Sequence, residues 1–118
     1  MRINLHCHSN KSDGVNTPAS LIDILARNGL DIVSLTDHDS ISGIEEAKIS
    51  CINKGITLIP GIEFSASLAE SSLSFATKHT ACHILAYGFD VEMMKEKIKR
   101  HHRQMKAGVI ALINDLQA

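Results

Sequence analysis

Residues 32–39, with the sequence IVSLTDHD, form a short apolar run that ends in three titratable side chains. Similar apolar runs lie at 3–7, 57–62 and 82–87, and helix-sized segments separate them. Strands that alternate with helices predict an α/β fold, here with about four parallel strands and flanking helices. An α/β barrel and an open α/β sheet both fit this pattern.

Three helices are predicted between and after these strands. Pro18 occupies a favourable first position of the first helix, and Gly29 ends it. The second helix is expected at about 42–54, and one continuous apolar stripe predicts a long terminal helix over 91–117. The Ser-, Ala- and Thr-rich segment 65–80 has only weak periodicity, and we interpret it as an insertion or flexible loop.

The composition is that of an ordinary globular chain. Its 118 residues suit one domain or a piece of one, with 44% hydrophobic and 21% charged residues. The formal net charge of -1 gives no general attraction to polyanions such as duplex DNA. No apolar run is long enough to cross a membrane and no secretory signal is evident, so a cytoplasmic location is expected. The cysteines, without CxxC spacing, are expected to be small buried hydrophobes: Cys7, Cys51 and Cys82.

His6 and His8 flank Cys7 in the first predicted strand. Because side chains alternate along a strand, both imidazoles project from one face, where they can bind one metal ion. An isolated pair of this kind is more often two surface histidines, and Asp13 before Gly14 could be a simple turn residue. However, Asp13 follows the strand in the loop where parallel α/β folds place their active sites.

Asp37, His38 and Asp39 crowd the end of the second predicted strand. Two carboxylates beside an imidazole shift one another's pKa strongly, whereas a divalent metal neutralises the charge. A carboxylate can then orient the imidazole that binds the metal. The alternative for Asp39, or for Ser40, is a cap of the second helix.

Two more ligand-type residues lie on the later strands. Glu63 ends the third predicted strand, and His83 begins the fourth. A lone buried Glu is costly, and a lone strand His is more often a satisfied core residue, so the joint pattern is what indicates a metal site. Imidazole and carboxylate ligands without thiolates suit zinc, manganese or iron, and the ligand type does not choose among them.

The remaining histidines, His79, His101 and His102, are expected to be surface residues. His79 lies in the polar segment 65–80, and the other two belong to a basic run on the long helix. From the same run, Arg103 could bind a substrate phosphate through two hydrogen bonds if its face turned toward the site.

Five short motifs occur in order along the chain: LHCHS at 5–9, SDG at 12–14, TDHD at 36–39, PGIE at 60–63 and HIL at 83–85. Together they resemble the PHP family, named for polymerase and histidinol phosphatase, over nearly the whole chain. The TDHD motif and the long helix look most like stand-alone metal-dependent phosphoesterases of the nucleoside 3',5'-bisphosphate phosphatase and RNase AM type. The resemblance implies the N-terminal portion of a distorted (β/α)7 barrel, with the site at the C-terminal ends of its strands.

The resemblance also implies two or three divalent metal ions, of manganese, zinc or iron. Their ligands would form three sets: His6 with His8 and Glu63, Asp13 with His38, and Glu63 with His83. Glu63 would act as a bridge, and Asp37 and Asp39 would support the ligands. The implied reaction is hydrolysis of a small phosphoester, a nucleotide or an oligonucleotide end, by a metal-activated water.

One departure from the family pattern concerns the end of the chain. Family members carry further ligands downstream, another His and a late Asp-x-His, which do not occur before Ala118. The favoured expectation is a fragment of a longer protein, with weak metal binding and weak or absent activity by itself. The alternatives are a truncated product and a half-barrel that a second copy completes. A histidinol-phosphatase-like enzyme and a non-catalytic metal-binding module also stay open as functions.

Overall fold

The computed structural model describes residues 1–67 and 81–117. Strands and helices alternate in the first half of the chain, and a strand pair and one long helix follow. In chain order the elements are β1 (Ile3–Cys7), α1 (Pro18–Arg27), β2 (Ile32–Leu35), α2 (Ile44–Lys54), β3 (Thr57–Leu58), β4 (Gly61–Ser67), β5 (Ala81–Tyr87) and α3 (Val91–Gln117). The expected α/β class is confirmed. Within the described ranges, no helix has the length and apolar character needed to cross a membrane.

Strands β1, β2 and β3 form a parallel sheet in that order. β4 and β5 form a second, antiparallel sheet. The prediction of about four parallel strands is therefore wrong in detail, because the predicted strand 57–62 divides at Pro60 and the last strand runs against β4. Apolar periodicity identifies a strand but contains no information on the direction of its neighbour.

A parallel bridge between His38 and Glu63 joins the two sheets. The N–H of Asp39 donates to the carbonyl of Glu63 at 2.9 Å, and the N–H of Glu63 donates to the carbonyl of Asp37 at 3.2 Å. The end of β2 and the start of β4 are therefore fixed next to each other, and their side chains share one edge of the sheet.

Two hydrophobic clusters hold these elements together. The first packs α1 and α2 against the parallel sheet through Ile22, Leu25, Val33, Leu35, Ala47, Cys51 and Ile56. The second packs the first turns of α3 against β4 through Ile62, Met94 and Ile98. Burying such a side chain contributes about 1.5–3 kcal/mol. Farther along α3 the apolar side chains of described exposure are accessible to solvent, with Val109 at 57% and Leu116 at 79%.

The helices occupy the stretches predicted for them, with one correction at the start of α2. This helix begins at Ile44, and its N-cap residue is Gly43, which has no side chain that could cap the helix. The alternative role of Asp39 or Ser40 as a helix cap is therefore wrong.

The predicted insertion 65–80 is described only in part. Residues 65–67 belong to β4, because they continue its pairing with β5. Residues 68–80, with His79 among them, lie outside the described residues.

Gly61 lies where the backbone of β4 passes close to β2. A Cβ at Gly61 would overlap the hydroxyl of Ser34 and lie 2.8 Å from Cγ2 of Thr36. Both neighbours are fully buried, and packed interiors accommodate extra atoms poorly. Gly61→Ala is therefore expected to lower the free energy of unfolding by about 1–3 kcal/mol, measured by urea denaturation in EDTA.

Gly108→Ala is the matched control for this prediction. A Cβ at Gly108 meets nothing within 4 Å, and glycine weakens a helix interior by about 1 kcal/mol relative to alanine. Gly108→Ala should therefore stabilise the chain slightly. A Gly61→Ala variant as stable as the parent would contradict the close approach of β4 to β2.

Candidate metal centre

The end of β1 places His6 and His8 side by side. Cys7 turns the other way and packs against the first hydrophobic cluster, as the alternation of a strand requires. Nε2 of His6 lies 2.8 Å from Oε2 of Glu63, and Nε2 of His8 lies 2.9 Å from the same oxygen. The structure thus brings both predicted histidines to one carboxylate.

The loop after β1 brings Asp13 against two imidazoles. Oδ1 of Asp13 lies 3.0 Å from Nδ1 of His8, and Oδ2 of Asp13 lies 3.7 Å from Nε2 of His38. Asp13 is the most exposed member of the cluster, with 66% of its side chain accessible. It therefore lies at the rim of the cluster, over His8 and His38.

Asp37 holds this loop in place. Its carboxylate is buried and accepts hydrogen bonds from the N–H of Ser9 at 2.6 Å, the hydroxyl of Ser9 at 2.7 Å and the hydroxyl of Ser12 at 2.7 Å. Asp37 therefore positions Asp13 through the loop, and among the described residues its carboxylate accepts no hydrogen bond from an imidazole. Ser9 and Ser12 were not predicted to have this role, although each directly follows or precedes a predicted ligand.

Glu63 occupies the centre of the cluster, with only 5% of the residue exposed. In addition to the two imidazoles from β1, Oε2 lies 3.7 Å from Nε2 of His38, and Oε1 lies 2.9 Å from Nδ1 of His83. His83 pairs with Ser65 in the antiparallel sheet. Because Ser65 follows Glu63 by two residues, Glu63, Ser65 and His83 project from the same face of the sheet. One carboxylate thus contacts imidazoles from β1, from the end of β2 and from β5.

Three overlapping groups of side chains can each offer ligand atoms within 4.8 Å of one another. They are His6 with His8 and Glu63, His8 with Asp13 and His38, and His38 with Glu63 and His83. All six residues selected from the sequence are therefore in one cluster. Glu63 belongs to two of the groups and links them.

The donor atoms of this cluster fit a divalent metal centre. Nδ1 of His8 and Nδ1 of His38 are buried and lack a hydrogen-bond partner among the described residues. Nδ1 of His8 does lie near Asp13, but that contact is an ion-pair distance without hydrogen-bond geometry. Buried polar atoms without partners are costly, and a cation between His8 and Asp13 would satisfy Nδ1 of His8.

The electrostatics keep both carboxylates of the cluster ionised. Burial by itself would raise the pKa of Glu63, but the hydrogen bond from His6 and the charges of His38, His6 and His8 hold it below its usual range. Partial desolvation of Asp13 is likewise outweighed by the charges of His8 and His38, so the pKa of Asp13 is lowered. Anionic oxygens are therefore available to a cation at neutral pH.

Cys7 takes no part in this chemistry. Burial, followed by the nearby charge of Asp37, raises the pKa of its thiol to about 11. The thiol is therefore protonated at neutral pH, and Sγ donates to the carbonyl of Ser34 at 3.2 Å. The prediction of small buried hydrophobes holds for the buried Cys51, whereas Cys7 and Cys82 are only partly buried.

Acid is expected to destabilise the metal-free chain. Because the pKa of Glu63 is lower in the folded state, its contribution to stability is complete above about pH 4.5 and is lost as pH falls through the folded pKa. In EDTA, the urea midpoint of the parent should therefore fall as pH decreases below 4.5. Glu63→Gln should show a shallower fall, and equal slopes in parent and variant would contradict the lowered pKa.

Helix α3 contributes a residue that sequence analysis placed on a solvated face. Nε2 of His101 lies 2.7 Å from Oδ1 of Asp39, and Nε2 of His102 lies 2.6 Å from the carbonyl oxygen of Asp39. The prediction of a surface residue is wrong for His101, whose side chain is only 22% exposed. The sequence does contain a pattern that indicates this position. His101 follows Met94 by seven residues and Ile98 by three, so the three side chains share one face of the helix.

Asp39 is held from two directions. The N–H of Ser65 donates to Oδ1 of Asp39 at 2.9 Å, the same oxygen that His101 contacts. Burial would raise the pKa of Asp39, but the hydrogen bonds from Ser65 and His101 hold it below its usual range. Asp39 is thus an ionised acceptor next to the cluster, and its role in supporting a ligand stays a prediction.

Arg103 is not brought to the cluster. Its side chain is exposed, and over the described residues it makes no hydrogen bond or ion pair to the six clustered side chains. Its charge acts instead on Glu96, where Lys99 and, to a lesser extent, Arg103 lower the carboxyl pKa.

Comparisons with known proteins agree with this geometry. The family model of the PHP domain matches residues 4–116. A 3',5'-nucleoside bisphosphate phosphatase of Chromobacterium violaceum is 38% identical over 75% of this chain and 28% of its own. A 5'-3' exoribonuclease of Haemophilus influenzae is 44% identical over 56% of this chain and 24% of its own. This chain therefore spans about a quarter of the length of these two relatives.

A solved structure shows the same arrangement of elements. It is described as an amidohydrolase from Chromobacterium violaceum with bound sulfate, and it superposes with a TM-score of 0.65 and 30% identity. The match covers 94% of this chain and 39% of that one. Since the family model covers almost all of the sequence, this chain belongs to the PHP domain family.

Proposed function

We propose that this chain is the N-terminal part of a metal-dependent phosphoesterase that hydrolyses a small phosphoester, such as a nucleotide or the end of an oligonucleotide. The observation that carries the proposal is the convergence of three donor groups, two of them sharing Glu63. Membership of the PHP family supports the class of reaction. The names of the two curated relatives, a bisphosphate phosphatase and an exoribonuclease, support the class of substrate.

The ligand sets of this proposal follow the three donor groups. His6, His8 and Glu63 would hold one ion, Asp13 and His38 a second, and Glu63 with His83 a third, of manganese, zinc or iron. Divalent ions bound there would supply Lewis-acid chemistry, by polarising phosphoryl oxygens and activating water.

The charges of the chain itself explain why a phosphate would need these cations. Glu63 and Asp13 are ionised at neutral pH, and the chain has a formal net charge of -1. These two carboxylates would therefore repel a phosphate anion, and bound cations would offset their charge. Half of each imidazole of His6 and His83 is exposed, as is most of Asp13, so a substrate would approach from this rim while Glu63 forms the buried floor.

Several finer points stay predictions. Arg103 as a phosphate-binding residue, a cytoplasmic location and completion of the barrel by a downstream segment or a second copy are among them. Light scattering of the purified chain at several concentrations would test self-association directly.

The alternative of a histidinol-phosphatase-like enzyme uses the same centre with a different substrate pocket. The alternative of a metal-binding module without turnover needs only the three donor groups. Both are separated from the main proposal by the experiment that follows.

The experiment combines metal content with activity. The chain is purified, its bound metals are quantified, and it is assayed with manganese on a nucleoside bisphosphate, on histidinol phosphate and on a generic aryl phosphate. The double variant His8→Ala, Glu63→Ala removes ligands from all three donor groups. Glu45→Ala is the matched control, because Glu45 is an exposed carboxylate on α2.

Metal binding and hydrolysis of the nucleotide that depend on His8 and Glu63, but not on Glu45, would support the proposal. Preference for histidinol phosphate would favour the first alternative. Metal binding without hydrolysis, both in this chain and in a longer chain that adds the downstream segment, would favour the second. Equal metal content in the parent and in the double variant would overturn the metal centre itself.

A further inference from the structure

Asp39 has an unusual backbone conformation directly after a cluster residue. Its φ is 49°, in the left-handed region that non-glycine residues rarely adopt. The residue is nevertheless tied at three atoms: its N–H donates to Glu63, its Oδ1 accepts from Ser65 and His101, and its carbonyl oxygen faces Nε2 of His102. A strained conformation persists only where the surroundings determine it, and here two elements do so.

The position of Asp39 influences the distance between two side chains of the cluster, those of His38 and Glu63. It directly follows His38, and it hydrogen-bonds through its main chain to Glu63 and through its carboxylate to Ser65. It therefore lies at the junction where the end of β2 meets β4, next to the bridge between His38 and Glu63. A shift of Asp39 would move the imidazole of His38 relative to the central carboxylate.

His101 approaches this junction from a rigid element. Met94 and Ile98, one and two turns earlier, are buried against β4 and anchor α3 there. The ring of His101 packs edge-on against Phe64, with centroids 5.2 Å apart and an interplanar angle of 79°. Since the ring is held by packing, its Nε2–H is aimed at Oδ1 of Asp39 at 2.7 Å.

We propose that His101 is a positioning residue of the metal centre: it fixes Asp39, and through Asp39 it holds His38 at the distance from Glu63 that a divalent cation needs. His101 belongs to none of the three donor groups, so it acts through Asp39 and not as a ligand. This inference rests on the proposed function. The inference extends that function, because metal affinity would then depend on the first half of α3.

The test measures Mn²⁺ affinity by calorimetry in four variants of Asp39 and His101 and in two reference variants at other positions. His101→Phe keeps the ring against Phe64 and removes the hydrogen bond, whereas His101→Gln keeps a side-chain N–H donor. Asp39→Gly removes the acceptor and tolerates a φ of 49° without strain. The double variant Asp39→Gly, His101→Phe completes a cycle, and Lys97→Gln, at an exposed position of α3, is the control.

His101→Phe is expected to weaken Mn²⁺ binding by about tenfold, because loss of a partner that orients a ligand costs roughly 10–100-fold in metal affinity. His101→Gln should recover most of this loss. Asp39→Gly and the double variant should weaken binding equally, since His101 acts only through Asp39. Circular dichroism and melting in EDTA check that each metal-free variant is folded.

Parent-like Mn²⁺ affinity of folded His101→Phe, or losses that add in the double variant, would overturn the inference. His8→Ala distinguishes this result from failure of the proposed function. If His8→Ala loses affinity and His101→Phe does not, only the positioning role fails. If the parent itself binds no Mn²⁺, both fail.

Discussion

Glu63→Gln should reduce the bound divalent ions to the one that His8, Asp13 and His38 can hold. Glu63 is the shared member of the other two donor groups, and its two oxygens contact different imidazoles, Oε2 that of His8 and Oε1 that of His83. Glutamine preserves the shape but replaces one anionic oxygen by an amide nitrogen, which cannot bind a cation. Phosphoesterase activity should fall by at least about 100-fold, because even partners outside the ligand set cost roughly 10–100-fold.

Metal analysis of the dialysed proteins and rates of phosphoester hydrolysis measure this effect. Glu46→Gln is a suitable control, because Glu46 is a partly buried carboxylate outside the cluster that accepts a hydrogen bond from the N–H of Ala19. If Glu63→Gln retains the metal content of the parent, Glu63 is not the link between the donor groups.

Asp37→Ala should cause a large loss of stability in the metal-free chain. The substitution removes the acceptor of three hydrogen bonds. The N–H and the hydroxyl of Ser9, a fully buried residue, then lose the carboxylate to which they donate. Hydrogen bonds to a charged group contribute about 1.5–3 kcal/mol each, and buried donors left unpaired are costly. We expect the free energy of unfolding to fall by about 3 kcal/mol or more, measured by urea denaturation in EDTA.

Asp23→Ala is the matched control for Asp37→Ala. Asp23 pairs with Lys54 at 2.7 Å, but half of its side chain is exposed. An ion pair of this kind contributes at most about 1 kcal/mol. If the two variants lost equal stability, the hydrogen bonds to Asp37 would not determine the stability of the loop that bears Asp13.

The parts of the fold that depend on local pattern were predictable. α1 has a Pro and a Gly at its ends, and α3 has an uninterrupted apolar stripe, so both appear where the sequence predicts them. The division of 57–62 into β3 and β4, and the antiparallel partner of β4, were not predictable. Both depend on which strands meet in space, and alternating side chains say nothing about that.

The site was predictable for a related reason. His6, Asp13 and His38 follow or end parallel strands, so the topology alone brings them to one edge of the sheet. The contact of His101 with Asp39 was not predicted, because a basic run on a helix usually faces solvent. The apolar stripe of the helix was defined by its hydrophobic residues alone, and His101 is not one of them. Asp39 was open between two roles, and its partners lie 26 and 62 residues away along the chain.

The two halves of α3 are stabilised in different ways. The turns up to His101 are held by tertiary contacts, since Met94 and Ile98 are buried against β4 and His101 is hydrogen-bonded to Asp39. Beyond His101 the residues with described exposure are solvent-accessible, and Gly108 interrupts a stretch of about the length at which isolated helices are marginal in water. Warming should therefore melt the helix from its C-terminal end inward, while the metal centre stays assembled until the whole domain unfolds.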